Sequence, residues 1–153
     1  MKPTTAGFNP QLTAEHFNQR NAGYLPGLVG LTVLAMGPDA VHSRLEVRQE
    51  LLAPNGFLHA ASVIALADTS AGYGCVATLP KGASGFTTIE LKSNFLGTAR
   101  DGAILCRAVP AHLGRTTQVW DAVVWDENRP EGADRPIALF RCTQMVLWQN
   151  PKP

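Results

Sequence analysis

Residues 58–82 of this 153-residue chain read LHAASVIALADTSAGYGCVATLPKG. A single acid, Asp68, stands in the middle of that apolar run, nine residues after a histidine, His59. Between Ala60 and Val76 nothing else is charged. A carboxylate among such residues costs several kcal/mol unless water or a partner meets it. The acid therefore either lies on the one wet edge of the segment or is there for chemistry. Burial makes a carboxylate more basic, which suits it to taking a proton from water near neutral pH. No CxxC or HExxH spacing accompanies it, so a metal site has little support and none is expected.

The length of the segment decides its type. About 20 residues rich in alanine are too long for a typical strand and long enough for a central helix. Its small residues let a sheet approach closely, and Gly72-x-Gly74 reads as a packing device rather than a nucleotide loop. Leu79-Pro80-Lys81-Gly82 ends it. Upstream, residues 1–10 read as a loose arm, and LTAEHFNQR (12–20) as a short helix capped by Thr13 or a neighbour and ended before Gly23. GLVGLTVLAMGPDA (27–40) reads as a strand stopped by Gly37-Pro38. AVHSRLEVRQEL (40–51) alternates, with Val41, Ser43, Leu45 and Val47 facing one way and His42, Arg44, Glu46 and Arg48 the other, as a half-buried antiparallel strand does.

Downstream the pattern is strand after strand. GFTTIELKSNFL (85–96) puts Thr88, Glu90, Lys92 and Asn94 on one face, with Ile89, Leu91 and Phe95 on the other. DGAILCRAVPAHL (101–113), RTTQVWDAVVWDE (115–127) and IALFRCTQMVLW (137–148) follow, the last two separated by the Pro/Gly-rich loop NRPEGADRP (128–136). Two strands, one long helix and four strands joined largely by hairpins make an α+β fold, a curved antiparallel sheet wrapped around a helix.

Composition narrows the function classes. With 45% hydrophobic and 16% charged residues the chain is globular and low enough in charge to favour an oligomer. A net charge of +1 gives no basic face for nucleic acid. No apolar run reaches membrane-spanning length uninterrupted, and MKPTTAGFNPQ lacks the apolar core of a signal peptide, so a cytoplasmic protein is expected. Three widely spaced cysteines, Cys75, Cys106 and Cys142, fit buried reduced thiols better than disulfides.

The ordered pieces PNGFLHAA, ALADTSAGYG, TIELKSNFLGTA and HLGRTTQVWDAVVWD resemble the hotdog-fold acyl-CoA thioesterases of the phenylacetyl-CoA and 4-hydroxybenzoyl-CoA type. The likeness covers roughly residues 28–148. It implies a single hotdog domain over 28–150 preceded by an arm and short helix over 1–27. It also implies hydrolysis of an aryl or short- to medium-chain acyl-CoA, with CoA belonging to the substrate and no further cofactor. On the matching positions Asp68 is the general base or nucleophile, serving a substrate held by a partner subunit. The backbone N–H of Ala60 or Ala61, at a helix N-terminus, is the oxyanion donor. His59 orients the carbonyl or the leaving sulfur, and Thr88 holds the attacking water. Arg115 in the Gly-Arg turn is the first phosphate contact, with Arg100 and Lys92 behind it and Asn94 and Lys81 weaker.

Two departures stand out. Ala60-Ala61 replaces the family's Gly-Gly, and the family's Asn or Gln has no counterpart at Ala53, leaving Asn55 to fill that role. A homodimer or dimer of dimers with sites at the subunit interface follows from the resemblance, without nucleic acid or membrane partners. Two other readings share the fold: an acyl-thioester hydratase or dehydratase, and a non-catalytic acyl-CoA-binding protein.

Overall fold

A computed structural model describes residues 7–131 and 135–149. Its centre is the long helix α3, Ala60–Ala77, which takes His59 as its N-cap. Ten of its 18 residues are Ala, Ser or Gly, and apolar side chains run around it rather than along one stripe. A helix that is apolar all round must be covered all round. The composition of α3 would also suit a membrane span, with a mean hydropathy of 1.2 over 18 residues. Here strands cover it instead.

Those strands are β1 (Leu31–Met36), β2 (Val41–Glu46), β3 (Ala83–Phe95), β4 (Ala103–Leu113), β5 (Thr117–Asp126) and β6 (Ala138–Trp148). They form one six-stranded sheet in the order β1-β2-β4-β5-β6-β3, antiparallel throughout. The helix contacts five of them extensively and β1 more lightly. Close approach needs the glycines: a Cβ on Gly74 would lie 2.4 Å from Trp120 Cη2, and one on Gly72 would lie 3.0 Å from Phe86 Cζ. Leu66, Ala67, Ala71 and Cys75 of α3 close the core against Leu45, Ile104, Cys106, Trp120 and Cys142 of the sheet.

The structure corrects the sequence reading in two places and refines it in a third. The stretch read as one strand from residue 27 begins instead with a short helix, α2 (Leu25–Val29), entered through Pro26 and ended by Gly30 at φ 80°. Proline at a helix start and a left-handed glycine at its end mark it, against the apolar run that suggested a strand. The last four strands are joined largely by hairpins, as read, since β4, β5 and β6 are successive antiparallel neighbours. The link from β3 to β4 carries the chain across the sheet, so β3 forms an edge beside β6. Finally, a bulge between Thr88 and Glu90 switches the alternation of β3. Thr88 opposes the buried Gln144 and faces α3, while Glu90, Lys92 and Asn94 oppose outward residues of β6. The extra residue of a bulge swaps the faces beyond it.

The short helix α1 (Ala14–Arg20) forms as read, with Thr13 Oγ1 accepting from the His16 N–H. It is stapled to the sheet: the Asn18 side chain donates to Val33 C=O at 2.9 Å and accepts from Val33 N–H at 2.7 Å, and Phe17 enters the core. Residues 1–6 of the expected arm, residues 132–134 of the Pro/Gly-rich loop and residue 150 lie outside the described residues. All three cysteines are unpaired and buried.

Candidate active site

Asp68 lies at the middle of α3, half-buried, on the wall of a cavity of about 720 Å³. The opposite walls come from α1 and its flanks (Leu12, His16, Phe17, Arg20, Tyr24, Pro26), and the floor from Tyr73, Val76, Phe86 and Thr88. Phe17 and Tyr73 stack with ring centroids 4.2 Å apart. Tyr73 Oη donates to Asn21 Oδ1, and the Asn21 amide donates to Leu31 C=O, so the aromatic wall is braced from behind. The cavity is thus lined by aromatic rings with a carboxylate at one side and the Arg20 guanidinium at its rim.

Burial pushes the Asp68 carboxyl above its ordinary value of 3.8, and the Thr88 hydroxyl, 3.5 Å from Oδ1, works against that shift. Thr88 in turn donates to Gln144 Oε1 at 2.8 Å. Gln144 is fully buried on β6, and its Nε2 lies 3.2 Å from Cys142 Sγ. A carboxylate made more basic and open to a cleft, with a hydroxyl 3.5 Å from one oxygen, can accept a proton from a bound water.

The other residues marked in the sequence fall into separate places. His59 Nδ1 accepts the Ala61 N–H at 2.9 Å, so that donor is taken by the cap. The Ala60 N–H has no acceptor among the described residues and points out at the exposed start of α3. Asn55 turns its Oδ1 back onto the Phe57 N–H at 3.2 Å within the loop before the helix. Arg100 lies over the Phe57 ring, 5.0 Å from its centroid, on that same loop. Arg115 stands over Trp148 at 5.2 Å and lines a second cavity of about 420 Å³ with Lys81, Thr78 and Gln118. Lys92 and Asn94 share a shallow depression on the outer face of the sheet beside the Arg141–Asp121 ion pair.

Nine residues of helix separate His59 from Asp68, a rise of roughly 13 Å. Within one chain the helix start and the acid therefore do not meet on one small group. Asp68 and Thr88 come together; the helix N-terminus and the basic residues do not join them.

Reading the sequence missed Phe17, Tyr73 and Gln144. Alternation along IALFRCTQMVLW puts Phe140, Cys142, Gln144 and Val146 on one face, and a glutamine among apolar neighbours was the available signal. No local pattern tied Phe17 to Asp68, since only the fold lays α1 over α3. Among the described residues no group of three or more His, Cys, Asp or Glu could hold a metal ion.

Residues 55–133 match the family described as the thioesterase superfamily. A solved thioesterase from Haemophilus influenzae superposes with a TM-score of 0.83 at 26% identity, covering 92% of this chain and 94% of that one. The chain is also similar to the 1,4-dihydroxy-2-naphthoyl-CoA hydrolase of Escherichia coli, 28% identical over 77% of this chain and 86% of the relative. The hydrolase of that name from Listeria monocytogenes is 25% identical over 77% of this chain and 91% of its own.

Proposed function

This chain belongs to the thioesterase superfamily, and from that premise we propose that it hydrolyses an aryl acyl-CoA with Asp68 as general base. The observation that carries the reading is the half-buried Asp68 facing an aromatic cavity, with its carboxyl made more basic by burial. A flat aromatic acyl group can pack against the cavity faces of Tyr73 and Phe86, on the same wall as Asp68. Offset ring stacking adds to the area such a group buries. The hydrolase names of the relatives from Escherichia coli and Listeria monocytogenes agree with an aromatic acyl group.

In this reading Asp68 takes a proton from water as the water oxygen bonds to the thioester carbon. The tetrahedral intermediate collapses by breaking the carbon–sulfur bond, and the departing sulfur takes the proton from Asp68, which frees CoA as the thiol and restores the carboxylate. The negative charge on the former carbonyl oxygen needs a donor, and the free Ala60 N–H at a helix start is suited to it. Because that N–H stands about 12 Å from Asp68 along one helix, a second copy of the chain supplies it. The unpartnered 13-residue edge of β3, with Ile89, Leu91 and Phe95 exposed, supports a homodimer formed along that edge. Lys81 and Arg115 are suited to the phosphates of CoA, and three unpaired buried thiols agree with a reducing, cytoplasmic setting.

The test is release of CoA thiol across a panel of aromatic, short and long acyl-CoAs with wild type and Asp68→Asn. Aromatic substrates should turn over fastest, and the variant should lose about 10²–10⁴-fold in kcat with its oligomeric state unchanged. Wild-type rates in the variant would remove Asp68 from the chemistry.

A further inference from the structure

Gln144 has no place in the reaction just described, yet it is fully buried directly behind Thr88. Burying an amide is costly, and an apolar side chain of equal length would fill the same space. Its neighbours explain it. With the amide oxygen toward Thr88, the single proton of the Thr88 hydroxyl goes to Gln144 Oε1 at 2.8 Å, leaving none for Asp68 Oδ1 at 3.5 Å. An amide turned by half a revolution fills the same volume with nitrogen and oxygen exchanged. Resting on the hydrolase reading above, we propose that Gln144 is a positioning residue: its turned amide accepts from the Cys142 thiol, donates to Thr88 Oγ1, and so aims the Thr88 proton at Asp68.

Two preferences drive the turn in the same direction. Burial pushes the Cys142 thiol up to about 12, so at neutral pH it keeps its proton, and a carbonyl oxygen is a better acceptor for it than an amide N–H. A hydroxyl also bonds more strongly to a carboxylate than to a neutral amide. The chain of donors then runs Cys142, Gln144, Thr88, Asp68, all pointing one way. Among the described residues, the groups around Asp68 that titrate or carry charge are His16 and Arg20 from α1, Tyr24 just beyond it, Tyr73 from its own helix, and Cys142 from β6.

The experiment follows the Asp68 carboxyl by carbon NMR through a pH titration of the full-length, unliganded protein. Wild type, Gln144→Met, Thr88→Val and the double variant are compared. Each single change should raise the Asp68 midpoint, and the double variant should shift no further than Thr88→Val alone. The acid limb of kcat/KM should move with the midpoint, and kcat of Gln144→Met should fall by up to about 10-fold. A midpoint unmoved in Gln144→Met, or a further shift when it is added to Thr88→Val, overturns the proposal. Should Gln144→Met fail to fold, Cys142→Ala breaks the chain one link earlier, and an unmoved midpoint there overturns it equally. The titration needs no turnover. A wild type that cleaves no thioester but shows these shifts sinks the hydrolase reading alone, whereas normal turnover with no shift sinks this one alone.

Discussion

Gln118 and Gln144 stand opposite each other across β5 and β6, with 1% and 0% of their surface exposed. Each backs one of the two larger cavities, and they differ in what holds them. Gln118 Oε1 accepts from the Trp120 indole N–H at 2.9 Å, while its Nε2 donates to Thr78 C=O at 3.1 Å. An indole N–H only donates and a carbonyl only accepts, so this amide has one orientation. The partners of Gln144 are a hydroxyl and a thiol, each able to do both. Donor-only and acceptor-only neighbours turn a buried glutamine into a brace. Two-way neighbours turn it into a link whose direction is set by whatever lies at the end, here Asp68.

The comparison predicts opposite outcomes for the same substitution. Gln118→Met strands the indole N–H and the Thr78 carbonyl in the core, and should cost about 2–4 kcal/mol of stability, read from denaturant or thermal unfolding. It should leave the Asp68 midpoint where it is in wild type. If Gln118→Met moved that midpoint as far as Gln144→Met does, the distinction between brace and link would be gone. A smaller effect belongs to the cavity behind Gln118. Arg115→Ala removes one exposed cation near Lys81, and should raise KM about fivefold for an acyl-CoA. The KM for the matching acyl-pantetheine, which lacks the nucleotide, should stay constant. Equal changes for both substrates would mean that this cavity does not meet the phosphates.

Much of this is legible in the amino-acid sequence. The order of elements follows from periodicity and from the length of the alanine-rich run, and Asp68 stood out because charge is conspicuous in such a run. The small helix over Leu25–Val29 was hidden because Leu, Val and Gly there suit either state, and only Pro26 and Gly30 decide it. The bulge beside Ile89 was hidden because a single extra residue leaves no mark in a pattern of alternating types. It matters for the site, since without it Thr88 and Lys92 would share a face. The aromatic wall was out of reach for a different reason: Phe17 and Tyr73 are 56 positions apart in the chain, and they meet only because Asn18 and Asn21 fasten α1 to β1.

The smallest expected effect separates the two cavities most cleanly, because its sign differs between a brace and a working acid. Burial raises the Asp68 pKa in the folded chain above the ordinary 3.8. Below that value both states hold the proton and the residue is neutral to folding. As pH rises through 3.8 the unfolded chain releases the proton while the folded chain keeps it, so stability falls across the window up to the folded-state pKa and stays lower above it. Asp68→Asn removes this loss. The variant should melt with wild type at pH 3 and slightly above it, by ~1–3 °C, at pH 8, even as its turnover collapses. Gln118→Met, by contrast, should melt lower than wild type at both pH values, since no proton is involved. A Gln-like result for Asp68→Asn, with a lower melting temperature at pH 8, would mean that the carboxylate is paired and holds the fold together. The cavity would then contain no basic group poised for a thioester.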